Sequence, residues 1–308
     1  MDPKPLTELV KTAPFTRRSF LRRSSVAGAA ALLGPGALLL GGAKNAQAQS
    51  GDLDLAILNF ALNLEYLEAE YYLYAFTGQG LEGNGVAVGG SGTPGGVTIK
   101  PNPQVPFTTS AFQQYAREIA IDERAHVVFL RGAITAAGGQ PVARPAIDLQ
   151  NSFNTLAQAA GLVPAGGTFD PFANEVNFLL GAFIFEDVGV TAYKGAARLL
   201  LSRDVLEAAA GILAVEAYHS GIVRTVLFQL GASTQQQAGR ISALRAQLSG
   251  AADDQGLLDR RNQANLVPTD GNGLAYSRSA RQVLNIVYGA QNASTGLFFP
   301  NGLNGVIR

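Results

Sequence analysis

Two histidines stand in 308 residues, and each follows a glutamate by three positions: Glu123-Arg124-Ala125-His126 and Glu216-Ala217-Tyr218-His219. On a helix this spacing puts a carboxylate and an imidazole on one face, and two such helices facing each other build a dinuclear metal site. With 11 glutamates in the chain, both histidines acquire that neighbour by chance in roughly one such composition in a thousand. The alternative is a pair of exposed hydrogen-bonded couples, each worth about a few tenths of a kcal/mol. Against it, Ile119, Val127 and Val128 flank the first pair and Leu213, Val215 and Val223 the second, and an unpaired charge in such apolar helices is costly.

A pair of iron or manganese ions needs carboxylate oxygens, some of them bridging, and one imidazole per ion. The expected set is Glu123 and Glu216 as bridges, His126 and His219 on one ion each, and Glu65 and Glu186 as terminal carboxylates. Glu186 lies within the apolar stretch 179–190, where an ionised carboxylate requires partners. Glu68, one turn beyond Glu65 on nearly the same face, competes with it, whereas Glu70 is expected to face solvent. Tyr72, Tyr193 and Tyr218 are candidate hydrogen-bond donors to the site. Glu123, Glu216, Tyr72 and Tyr193 are the residues expected to take part in chemistry, although a packed tyrosine with a satisfied hydroxyl has the same signature. Asp122 and Asp187 adjoin ligands in sequence, and either orient a histidine from a neighbouring helix or face outward.

These side chains require four long helices. Apolar periodicity predicts the first over 52–76, with Asp52 or Asp54 as N-cap, and the second from Thr108, Thr109 or Ser110 to about Ala137. The third is expected to open at Asp170-Pro171 and reach about Leu201, and the fourth to run from Ser202 or Asp204 to near Gly231. A glycine-rich loop spans 78–106, and a long connection with one short helix, 152–160, separates the second and third helices. The glycine-rich stretch of that loop from Gly83 to Gly96 lacks the lysine-serine ending of a P-loop and the strand-before, helix-after context of a dinucleotide site. The four helices echo one another. Arginine follows each histidine by five residues, at Arg131 and Arg224, and tyrosine follows each terminal glutamate by seven, at Tyr72 and Tyr193. Helices are also expected over 234–248 and 277–290, in an appendage (232–308) too thin in apolar residues to fold alone against the bundle of 49–231.

Residues 1–48 carry a twin-arginine pattern, Thr16-Arg17-Arg18-Ser19-Phe20-Leu21-Arg22, then an uncharged apolar stretch and a small-x-small cleavage motif at Ala46-Gln47-Ala48. Export with cleavage near Gln49 is expected, placing the protein in the periplasm or outside the cytoplasm without stable membrane insertion. The remaining 16 basic and 21 acidic side chains argue against nucleic acid as a partner. Cysteine is absent and the one methionine is Met1, so the chain beyond Met1 lacks the side chains that peroxide oxidises most readily.

Asn63-Leu64-Glu65 with Tyr72, together with the two Glu-x-x-His pairs, resembles the ferritin-like superfamily. The runs 62–72 and 185–195, and the ending Phe298-Phe299-Pro300-Asn301-Gly302, are similar to its desiccation-related branch. The resemblance implies an all-α four-helix bundle with a long crossover between helices two and three. It also implies a centre of two iron or manganese ions, with dioxygen or peroxide as partner in oxidative or desiccation stress. Relatives of this kind oxidise and store iron, reduce peroxide, or dismute it at manganese. A noncatalytic protective protein and a metal-sequestering one are the competing expectations, and a homo-oligomer is compatible with either. Twin-arginine export carries folded proteins, so the metal would be loaded in the cytoplasm.

Overall fold

The computed structural model describes the backbone of residues 40–308 and the side chains of 51–308. The export segment read in residues 1–48 lies outside the residues whose side chains are described. Among the described residues seven helices and one two-stranded ribbon form, in the order α1 (Leu40–Thr77), β1 (Val97–Thr98), α2 (Ser110–Ala136), β2 (Ile147–Asp148), α3 (Asn151–Ala159), α4 (Glu175–Ala197), α5 (Arg203–Gln229), α6 (Ala232–Ser249) and α7 (Ala280–Tyr288). The chain is all-α. Helix α1 packs along α2 and α4 along α5, and contacts of α1 with α4 and of α2 with α5 close the four-helix bundle.

The crossover from α2 to α4 carries β2 and α3, and its strand pairs in parallel with β1 of the glycine-rich loop, Val97 opposite Ile147 and Thr98 opposite Asp148. The two long connections thus tie each other down. Glu70 sits under them: it is fully buried, accepts from the Leu81 amide at 3.1 Å and pairs with Arg144 of the crossover. This corrects the expectation that Glu70 faces solvent. A partner 74 residues away in an irregular segment, rather than its own helix periodicity, decides its orientation.

Two helix starts also differ from expectation. Helix α4 begins at Glu175 because Asn174 caps it, accepting from the amides of Val176 and Asn177 at 3.0 and 2.9 Å. Asp170 instead takes the Phe172 amide in a turn and pairs with Lys100 at 2.6 Å. Helix α1 is already running at Leu40, so Asp54 is internal to it. Its carboxylate receives the Leu201 and Ser202 amides at 3.0 and 2.8 Å and pins the entry to α5, where Ser202 is the cap.

Helix α4 is the apolar axis of the fold. By length and hydropathy it is apolar enough to cross a membrane, but 89% of that window is buried by the rest of the chain, as befits a core helix. Tyr71 anchors an aromatic cluster against it, with Phe178 stacked at 5.6 Å and Phe185 edge-on at 5.2 Å, each large buried ring contributing about 1.5–3 kcal/mol. The C-terminal segment returns across the bundle. Phe298 meets Phe185 and Phe153 at 4.9 and 5.3 Å, and the Asn304 backbone exchanges hydrogen bonds with the Asn63 side chain of α1 at 2.9 and 3.2 Å.

Candidate metal centre

The four bundle helices bring Glu65 (α1), Glu123 and His126 (α2), Glu186 (α4), and Glu216 and His219 (α5) to one buried place. Ligand-capable atoms of Glu65, Glu123, His126 and Glu216 lie within 4.8 Å of one another, as do those of Glu123, Glu186 and His219. Glu123 belongs to both groups. Its Oε2 stands 3.5 Å from His126 Nδ1 and its Oε1 stands 3.1 Å from His219 Nδ1, so its two oxygens address opposite halves. Each half has its own second carboxylate: Glu65 Oε2 lies 3.2 Å from His126 Nδ1, and Glu186 Oε2 lies 3.7 Å from His219 Nδ1. Glu216 Oε1 is 3.7 Å from His126 Nδ1.

The sequence echo becomes an approximate twofold relation between helix pairs. Tyr72 of α1 donates to Glu186 of α4, and Tyr193 of α4 donates to Glu65 of α1, so each tyrosine serves the other helix's carboxylate rather than its own. The arginines match in the same way. Arg131 reaches Tyr66, the residue after Glu65, while Arg224 reaches Asp187, the residue after Glu186, at 2.7 Å. The relation fails at one position. Three residues after Glu65 is Glu68, but three after Glu186 is Gly189, where a Cβ would stand 2.2 Å from Glu216 Oε2 and 3.5 Å from Glu68 Oε1. A glycine inside a helix costs about 0.5–1 kcal/mol relative to alanine, and here it makes the room that Glu216 occupies beside Glu68.

Both oxygens of Glu123, both of Glu216, Oε2 of Glu186 and Nδ1 of His219 are buried without an aligned hydrogen-bond partner. Orphaned buried polar atoms are expensive, and their convergence on one point from three helices is what a pair of cations would satisfy. The donor set, oxygen-rich with one nitrogen per half, suits iron or manganese.

Protons take up the charge in the metal-free protein. Burial would depress His126, but Glu65 and Glu123 outweigh it and raise the imidazole to about 11. His219 rises to about 9 because Glu186, Glu123 and Asp122 overcome the same penalty. Burial raises Glu186 to about 8, and burial with the nearby Glu68 and Glu123 puts Glu216 well above the ordinary range. Glu123 runs the other way: against burial, His126 and then His219 hold it below the usual carboxylate range. At pH 7 His126, His219 and Glu186 therefore carry protons that ligation must displace. Metal uptake is expected to release protons from these ligands. Apparent affinity should rise from pH 6 to pH 9 as protons compete less with the metal for these ligands, a slope that pH-stat titration with Mn(II) measures; uptake with no proton release would contradict it.

The Ferritin-like domain family model matches residues 53–229, which spans the bundle and all six of these side chains. The chain belongs to the ferritin-like family. This ferritin-like chain is 30% identical over 270 residues to the desiccation-related protein PCC13-62 of Craterostigma plantagineum, covering 82% of this chain and 83% of that one. It is 29% identical over 277 residues to the ferritin-like catalase Nec2 of Nesocodon mauritianus, covering 83% and 85%. No solved structure matches it significantly.

Other candidates of the ferritin-like chain separate in the fold. Asp122 lies 3.2 Å from His219 Nε2 and holds that ring from the facing helix, leaving Nδ1 turned inward. Asp187 faces arginines instead of a histidine. Tyr218 is 72% exposed and points away from the centre, because it sits one position from His219 and so about 100° around the helix. Glu68 is buried beside the set, raised well above the ordinary range by burial and then by Glu123 and Glu65. Helical spacing alone could not separate Glu65 from Glu68, since both turn inward; what distinguishes Glu65 is its closeness to His126.

Proposed function

We propose that this chain holds two iron or manganese ions between α1, α2, α4 and α5 and acts on peroxide or dioxygen in protection against oxidative or desiccation stress. The observation that carries this reading is the shared Glu123, one oxygen toward each histidine, within a set of buried donor atoms that have no other partner. Glu65 with His126 would hold one ion and Glu186 with His219 the other, with Glu123 and Glu216 between them. Such a pair supplies, when bound, a redox couple between divalent and trivalent states.

The remaining residues position and insulate. Tyr193 and Tyr72 hydrogen-bond the outer oxygens of Glu65 and Glu186, which fixes the direction of the other oxygen of each. Asp122 holds the proton on His219 Nε2 and so keeps Nδ1 free as a ligand. The apolar side chains of α4 exclude bulk water and strengthen every charge interaction at the site. The names of both relatives support a stress-related role, and that of Nec2 a peroxide substrate. Export through the twin-arginine route, proposed from the sequence of residues 1–48, would deliver the protein folded.

Purified protein is expected to carry about two iron or manganese ions per chain by elemental analysis. Less than about half an ion, unchanged in His219→Ala, would reject every metal-based reading. Oxygen evolution from peroxide selects dismutation, saturable Fe(II) oxidation selects an oxidase, and full metal content with neither leaves protection by sequestration or structure.

A further inference from the structure

Two cavities lie end to end between the protein surface and the centre. The outer one, about 290 Å³, opens beside the exposed Arg198, Ser277 and Ser279 where α4 meets the start of α7. The inner one, about 50 Å³, lies between α1 and α4 under Ile286 and Phe298, and ends at Glu68, Gly189 and Tyr193. Ile57, Phe60, Ala192 and Ala196 line both, so they form the neck between them. Beyond the inner end the next atoms belong to the centre itself: Tyr193 donates to Glu65, and the missing side chain of Gly189 leaves Glu216 Oε2 next to the cavity wall.

We infer that this apolar passage is the route by which a small uncharged oxidant, hydrogen peroxide, reaches the centre, with Glu68 as the hydrogen-bonding group that receives it. The inference rests on the dimetal reading above. Three features carry it. The inner walls are side chains of Leu, Ile, Val, Phe and Ala, so an ion such as Fe(II) entering there would forfeit its hydration without compensation. A neutral molecule of two heavy atoms loses far less, and the inner volume is of its size. Glu68 is the one carboxyl on this wall; it is 6% exposed, makes no hydrogen bond among the described residues, and lies one helical turn from Glu65, at the place where the twofold relation is broken by Gly189. The centre also comes near the surface on the α2 and α5 side, where the half-exposed Asp122 touches His219.

The neck can be closed without touching a metal-binding side chain. Ala196→Phe, near the end of α4, and the milder Ala192→Leu are expected to lower kcat/KM for peroxide in the metal-loaded full chain at least tenfold and about threefold, with metal content unchanged. Xenon pressed into crystals should occupy the inner cavity of the wild type, metal-loaded or metal-free, and should be lost from Ala196→Phe. Glu68→Leu should raise KM for peroxide more than it lowers kcat, and Glu68→Gln should restore it. Full metal content with unslowed peroxide consumption in Ala196→Phe overturns the route alone. Absence of metal from the wild type overturns the dimetal reading and the route's substrate together, and loss of metal from Glu68→Leu would make that residue a ligand and remove its role as receiver.

Discussion

Glu123→Ala is expected to take the metal content from about two ions per chain to nearly none, whereas His126→Ala should leave the half built on Glu186 and His219 partly filled. The asymmetry follows from geometry. His126 addresses one group of ligand atoms, while Glu123 has an oxygen in each. Loss of an outer hydrogen-bonding partner of a metal site commonly costs about 10–100-fold in affinity, and loss of a carboxylate shared by both ions should exceed that at each of them. The metal-free variant should still fold. Without metal, His126 keeps Glu65 and His219 keeps Glu186 as charge partners in the variant, so neither imidazole is left as a buried unpaired cation. Elemental analysis beside far-ultraviolet circular dichroism separates the two effects. Retention of one ion per chain by Glu123→Ala with native helicity would show that the halves are independent.

The features that local periodicity controls were legible from the sequence: four long helices, the crossover between the second and third, and the inward turn of Glu-x-x-His on α2 and α5. A spacing of three or four residues fixes a face of a helix whatever surrounds it. Interactions across helices were legible only as a coincidence of numbers. The seven-residue step from Glu65 to Tyr72 and from Glu186 to Tyr193 marks a real relation, but the hydroxyls cross to the opposite helix, because two turns carry them past their own carboxylate and into the neighbour's. Glu70 and Asp187 could not be read at all, since their partners Arg144 and Arg245 lie 74 and 58 residues away in elements whose docking no periodicity encodes. Tyr218 could have been placed better: adjacency to His219 on a helix is itself an argument that it points elsewhere.

Asp187→Ala is expected to lower stability by about 3–5 kcal/mol at pH 7, the usual cost of leaving buried arginines without their counter-ion. Asp187 is 6% exposed and receives Arg224 at 2.7 Å, Arg245 at 2.6 Å and the Ser220 hydroxyl at 2.7 Å. Arg245 continues to Asp254 at 2.7 Å, Asp254 to Arg278 at 2.7 Å, and Arg278 to Asp253 at 3.0 Å, so one buried chain of charges joins α4 and α5 to α6 and the segment leading to α7. Arg224 also donates to the carbonyls of Gly256 and Asn265 at 2.7 and 2.6 Å. The C-terminal region is thus fastened by arginines that need Asp187, which predicts that amide exchange in 250–279 accelerates in the variant before exchange in the bundle does. At about 2–4 °C per kcal/mol for a chain of this size, the melting temperature should fall by roughly 6–20 °C. The pH dependence has a definite sign. Burial would raise Asp187, but Arg224 and then Arg245 hold it below the ordinary aspartate range. Its contribution is therefore complete above the unfolded value of about 3.9 and disappears as pH falls through the lower folded value. The gap between wild type and Asp187→Ala should stay constant from pH 7 to pH 5 and close only below about pH 4, whereas a gap that closed near neutrality would place the stabilisation with the histidines of the centre instead.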